Sequence, residues 1–217
     1  MSFQPYPTEQ AFSWEVDSVS IEKLKTEVRR DQIAQAALSL IASQGIRELK
    51  MAGLSRRVGV APSAIYHHFK NKDEVVDAVL GLLEKRLLGN VKTVIEKSHD
   101  PLAQLKEILF LHVKLILEHS ALPRILFSEE IYGGKPERKA KLNAIIMSYL
   151  DEVARIILEG QQQNRIRSDI QASTLSVMFL GIVQPTAILW HLSDGAFDAA
   201  KQVERAWPVF CEAVLVR

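Results

Sequence analysis

The sequence predicts an all-α protein of about nine helices. Three observations carry that reading. Apolar residues recur every three or four positions through most of the chain. Glycines and prolines interrupt the pattern at helix-length intervals, and no stretch shows the two-residue alternation of a half-buried strand.

Taken in order, residues 1–20 carry Pro5 and Pro7 and no period, and read as an N-terminal arm. From Arg29 the apolar residues Ile33, Ala37, Leu40 and Ile41 follow helical spacing, and Gly45 stands where such a helix ends. Leu54 and Val58 mark a short helix stopped by Gly59. Val60 and Pro62 lead into a second short helix carrying Ile65 and Phe69. Asn71 is the expected N-cap of a long amphipathic helix, with Asp73 and Glu74 in its first turn, where the helix dipole favours acids. Asp100-Pro101 begins the next helix, which runs to near Ser120. Leu122-Pro123 starts a shorter one that stops at Gly133-Gly134. Pro136 suits the first turn of a long helix reaching about Gln163. Two long apolar helices follow, at 171–192 and 196–216, divided by Ser193-Asp194-Gly195.

The chain has 217 residues, 47% apolar and 24% charged, an ordinary globular balance. Its single cysteine, Cys211, excludes a disulfide framework within the chain and fits a reducing compartment. The first twenty residues hold Glu9, Glu15 and Asp17 but no lysine or arginine, which suits neither a secretory signal nor a transit peptide. The apolar stretch "LFLHVKLIL" (109–117) is broken by His112 and Lys114, so no membrane span is expected, and the location expected is cytoplasmic. Net charge is +1, but it is unevenly divided: −3 over residues 1–20, +6 over 21–72 and −2 over 73–217. A basic module is therefore joined to a nearly neutral body, a distribution that suits a nucleic-acid reader and also an ordinary solvated face.

Enzymatic and metal chemistry find little support. No serine sits in a nucleophile elbow, no glycine-rich loop follows a strand, and Cys211 has no evident activating base, so neither catalysis nor a cofactor is expected. His67 and His68 are neighbours, about 100° apart on a helix, and cannot chelate one ion together. His112 and His119 share a face but lie two turns, about 10 Å, apart. No metal site is expected.

The segment "MAGLSRRVGVAPSAIYHHFKNK" (51–72) is more informative. Two short helices meet at Gly59, which can adopt the positive φ of a tight turn. On a helical wheel Ile65 and Phe69 share the inner side, His68 lies at its edge, and Ser63, Ala64, Tyr66 and His67 face outward. That outward face is short, polar and aromatic, without a carboxylate to repel phosphate. Hydroxyl and imidazole groups can bond phosphate oxygens, and small side chains can approach base edges. Lys72 adds positive charge at the start of the next helix.

Through Leu54, Gly59, Val60, Tyr66, His68, Phe69, Lys70 and Lys72, in the pattern G-V-x-x-x-x-[LI]-Y-x-H-F-x-x-K, the stretch 29–75 resembles the tetracycline-repressor (TetR/AcrR) family of transcriptional regulators. The resemblance implies phosphate contacts by Tyr66, His68 and Lys72. It places Ser63, Ala64 and His67 against bases in the major groove, with Pro62 opening that helix. Two positions depart from the family pattern. Met51 stands where a threonine often caps the second helix and bonds phosphate, and Ala61 where a serine often caps the reading helix. Lys50 is the candidate replacement for the contact missing at Met51, and both belong to the expected DNA-facing set.

The resemblance also implies a homodimer paired through the last two helices. Leu175, Met178, Ile182, Trp190, Val203, Trp207, Phe210 and Val214 are the expected interface, although a pattern apolar on several faces equally describes a core. It further implies a cavity for a small-molecule effector. Phe110, His112, Leu117, Phe127, Met147, Tyr149 and Phe179 are the expected lining, with ordinary packing as the alternative account of each.

The expectation is thus a helix-turn-helix domain (21–72) and a regulatory and dimerisation domain (73–217). Together they would form a regulator, by family a repressor, that leaves a palindromic double-stranded DNA operator when a lipophilic or aromatic effector binds. The rivals are a constitutive DNA-binding dimer and a metal sensor on the same fold.

Overall fold

The structure, a computed structural model, describes residues 15–119, 125, 128–129 and 135–216. Eight helices are found among the described residues: α1 (Glu15–Gln44), α2 (Met51–Val58), α3 (Pro62–His68), α4 (Lys72–Lys97), α5 (Pro101–Glu118), α6 (Pro136–Gln162), α7 (Ala172–Leu192) and α8 (Ala199–Val214). The all-α reading holds. The shorter helix expected between Leu122 and Gly134, like residues 1–14, lies largely outside the described residues.

Helix α1 starts earlier than its apolar period suggests, so residues 15–20, read as part of an arm, are helical. Ile33, Ala34, Ala37, Leu38 and Ile41 form its buried stripe. It ends at Gly45, whose φ of 85° lets the chain turn while its N–H reaches the Ile41 carbonyl at 2.9 Å. Helices α1, α2 and α3 pack on one another, and α1 in turn lies along α4.

Helix α4 begins with a reciprocal cap. The Asn71 side chain accepts from the Glu74 N–H at 3.0 Å, and the Glu74 carboxylate accepts from the Lys70 N–H at 2.9 Å. Asp100 caps α5 by accepting from the N–H groups of Leu102 (2.9 Å) and Ala103 (3.3 Å), with Pro101 at the first helical position. Helix α5 is the central rod of the body, packed against α4, α6, α7 and α8. Its side chains Leu105, Ile108, Leu109 and Val113 join Val79 and Val94 of α4, Val153 and Ile156 of α6, and Phe179 of α7 in one continuous core.

Helix α7 is long and apolar enough to cross a membrane by length and composition, which the broken stretch at 109–117 did not suggest. It packs instead against α6, α8 and α5 as a body helix and buries Leu175, Phe179, Val183 and Ala187. Its buried hydroxyls, Ser176 and Thr186, return their hydrogens to carbonyls one turn back, at Ser173 (2.9 Å) and Ile182 (2.7 Å).

A polar tie joins the start of α4 to α6. Arg138 of α6, only 6% exposed, donates from Nε to Asp77 (3.1 Å) and from Nη2 to Asp73 (2.9 Å), both in the first two turns of α4. Lys135 adds a 2.7 Å ion pair to Asp73, and Lys141 donates to the Asp77 carbonyl at 2.7 Å. Hydrogen bonds from Lys135 and then Arg138 hold the Asp73 carboxyl below its usual range.

Candidate nucleic-acid interface

The turn between α2 and α3 has the geometry its glycine requires. Gly59 sits at φ 75°, ψ 32°, and both its N–H and that of Val60 reach back to the Ser55 carbonyl at 3.0 Å. Ser55 is buried where the helices approach, with its hydroxyl turned to the Ala52 carbonyl (3.0 Å). Neither short helix has a side-chain cap: Lys50 precedes α2 and Ala61 precedes α3, and neither side chain bonds the first turn.

Ile65 and Phe69 are fully buried, as their spacing predicts, and they fix α3 by its inner side. Arg30 of α1 secures the far end. Its guanidinium lies 4.2 Å over the Phe69 ring and donates to the His68 carbonyl. Ser63, Ala64, Tyr66 and His67 are exposed on the other side, with Tyr66 52% accessible. Pro62 occupies the first turn and is exposed too.

His68 is half-buried, and its Nδ1 is shut away without a hydrogen-bond partner among the described residues, which leaves Nε2 as the nitrogen able to meet an outside group. Burial first, then the neighbouring His67 and Arg30, lowers its pKa, so the imidazole is neutral near pH 7. Lys72 is half-buried and donates to the Arg47 carbonyl at 3.0 Å, which ties the turn after α1 to the start of α4 and leaves two ammonium hydrogens for other acceptors.

Two expectations change at the start of α2. Met51 is the first helical residue rather than the cap, and it is half-buried against the core. A thioether packed inward has no donor to offer a phosphate. Lys50 is exposed and paired with Glu48 at 3.4 Å, so part of its charge is already matched. Arg56 and Arg57, in the last turn of α2, are exposed and have no ion pair among the described residues. The consecutive basic residues in "SRRVG" were the available signal for them.

Of the expected effector lining, the structure brings His112 and Tyr149 together. His112 Nδ1 and the Tyr149 hydroxyl are 3.0 Å apart, with the rings edge to face at 5.0 Å. Burial pushes the His112 pKa down to about 4 and the Tyr149 pKa up. His112 is half-buried on α5. Phe110 and Leu117 are half-buried on the same helix. Phe179 is fully buried, but its nearest aromatic neighbour is Phe210, at 5.7 Å. Met147 is 47% exposed and points away from the interior, which removes it from any internal lining. Phe127 lies outside the described residues.

The expected interface splits in two. Leu175, Val203, Phe210 and Val214 are buried in the chain's own core, because α7 and α8 must first cover α5. Ile182, Trp190 and Trp207 are half-buried, and Met178 is exposed. The outward side also carries Val177, Leu189, Leu192 (75% exposed) and Val209 (66% exposed).

A basic helix-turn-helix joined to a neutral helical body defines a DNA-binding regulator. Residues 33–79 match the family described as "Bacterial regulatory proteins, tetR family", and residues 83–213 match "YsiA-like protein, C-terminal region". The chain belongs to the TetR family of transcriptional regulators. Among its relatives is the "Fatty acid metabolism regulator protein" of Bacillus subtilis (strain 168), 24% identical over 77% of this chain and 86% of that one. Another is the "Nucleoid occlusion factor SlmA" of Vibrio vulnificus (strain YJ016), 21% identical over 84% of this chain and 94% of that one. A similar fold is seen in the fatty acid degradation regulator FadR from Bacillus halodurans, with TM-score 0.72 and 22% identity over 84% of this chain and 94% of that one.

Proposed function

We propose that the chain acts in the cytoplasm as a homodimeric repressor that binds a palindromic operator and leaves it when a lipophilic effector enters the body. The observation that carries the reading is the outward face of α3, where Ser63, Ala64, Tyr66 and His67 stand exposed over the buried pair Ile65 and Phe69. Nothing acidic lies on that face. Tyr66, His68 and Lys72 contact phosphate, and Arg56 and Arg57 extend the basic rim. Ser63, Ala64 and His67 read base edges.

One seven-residue helix reads too few base pairs for specificity, which favours two readers about 34 Å apart. The exposed apolar side of α7 and α8 supports pairing there, because Val177, Met178, Leu189, Leu192 and Val209 would otherwise face water. The His112–Tyr149 pair, set among the apolar core helices of the body, supports an effector held mainly by apolar contact. Relatives named for fatty acid metabolism and degradation support the same chemistry. Release requires the effector to bind the non-DNA state more tightly, since equal affinity for both states shifts nothing.

Selection of bound duplexes from a random library, at two salt concentrations, tests the reading. A palindrome should be enriched, with affinity falling steeply in salt. Tyr66→Phe and Lys72→Ala should then weaken all sequences alike, whereas His67→Ala should alter the preferred bases. Unchanged operator affinity in all three variants would remove α3 as the reading face.

A further inference from the structure

Helices α4 and α5 border an open cleft of about 530 Å³ on the side of the body nearest α1. One wall is Lys85, Arg86, Gly89, Asn90 and Thr93 of α4. The other is Leu111, Lys114, Leu115 and Glu118 of α5, with His119 just beyond its end. Most of its charges are matched. Lys85 pairs with Asp31 at 3.0 Å, and Lys114 lies 3.8 Å from Glu118. Arg86 is different. It is half-buried, and its guanidinium donates to the Gln35 side-chain oxygen and to His119 Nε2, both neutral acceptors. No carboxylate pairs with it among the described residues. A guanidinium stays charged at any working pH and has five donors, of which these bonds use only part. A partly desolvated cation with neutral partners on one side and a cleft on the other has no anion beside it among the described residues.

The cleft has room for one. A Cβ built at Gly89 would meet nothing within 4 Å, so the wall beside Arg86 is open. Leu111 and Leu115 give the opposite wall an apolar surface next to the polar groups. We propose that this cleft binds a small organic anion, with a phosphate or carboxylate head on Arg86 and a short apolar stem along Leu111 and Leu115. Because Arg86 also holds Gln35 on α1, a head group on its spare donors sits beside the first helix of the DNA-reading module. The site is separate from the His112–Tyr149 interior, and its test requires neither DNA nor the effector.

The test is calorimetric titration of the full-length protein with phenyl phosphate and with benzoate. Phenol serves as the uncharged stem and inorganic phosphate as the bare head. Phenyl phosphate or benzoate should bind once per chain, at least tenfold more tightly than phenol, and whichever anion prevails names the head group. Arg86→Gln should weaken that binding at least tenfold. Gly89→Leu should block it by filling the cleft while leaving the Arg86 bonds and the melting temperature intact, which separates loss of the site from loss of the fold. His112→Gln should leave it unchanged. Equal affinity for phenol, no binding of either anion at millimolar concentration, or wild-type affinity in Gly89→Leu would each overturn the proposal. So would loss of binding in His112→Gln alone, which would move the anion into the interior.

Discussion

Acidification should destabilise this protein through His112 before most carboxylates are protonated. In the unfolded chain the imidazole titrates near 6.5, whereas burial beside Tyr149 brings it to about 4 in the fold. The folded pKa is the depressed one, so its contribution is fully present above pH 6.5 and is lost as pH falls toward 4. Between those values the unfolded chain holds a proton that the native chain refuses, and each pH unit crossed costs about 1.4 kcal/mol. The full loss is about 3 kcal/mol, a large share of the stability of an ordinary domain. Urea unfolding followed by circular dichroism, at fixed protein concentration from pH 7.5 to 4.5, measures it. His112→Gln keeps a polar partner for Tyr149 but cannot titrate, so its stability should fall by about 2.5 kcal/mol less over that range. His68 and His119 are also lowered by burial and contribute to both proteins equally, which is why the difference is the quantity to read. Parallel pH curves for the two proteins would refute the argument and mean that water or a rearranged Tyr149 accommodates the charged ring.

Arg138→Met should cost about 2 kcal/mol in chemical denaturation. That is below the cost of stranding a fully buried charge, because Asp73 and Asp77 are nearly half exposed and rehydrate. A variant as stable as the wild type would show that the tie between α4 and α6 contributes nothing net. Leu192→Asp changes a residue that faces water in the single chain, so sedimentation should show dissociation to monomers without loss of helicity, and an intact dimer would place the interface elsewhere. Arg56→Ala and Arg57→Ala should each reduce the salt dependence of operator binding by about one counterion while leaving the preferred bases unchanged.

The reading module was legible because its signals do not compete. Ile65 and Phe69, four residues apart on a short polar helix, leave one possible inner side, and Gly59 leaves one possible turn. The start of α1 was not legible, since no glycine or proline between Pro7 and Gly45 marks where the arm gives way to the helix. Helices α7 and α8 failed in the opposite way. They are apolar on several faces, and periodicity cannot say which face meets α5 and which is left outside, so interface and core stay equal readings for Leu175, Val203, Phe210 and Val214 until the packing shows them buried within the chain. Met147 has the same origin: an apolar residue on an amphipathic helix, but on its water side. Arg138 could not be foreseen, because its carboxylate partners lie more than sixty residues upstream and meet it only when α4 and α6 pack.

The polar bonds gathered on the first turns of α4 give that helix the mechanics of a lever. Its 26 residues extend about 39 Å at 1.5 Å per residue. Near one end Lys72, Asp73 and Asp77 fasten it both to the turn before α2 and to α6. A rigid rod held there turns rather than bends, and a rotation of about 5° sweeps its far end, where Val91 and Val94 pack into the core, through about 3 Å. The leverage runs both ways. A sideways push of an ångström near Lys97 turns the pivot by little more than a degree, so only an occupant that displaces the far end by several ångströms can re-aim what is bolted to the near one.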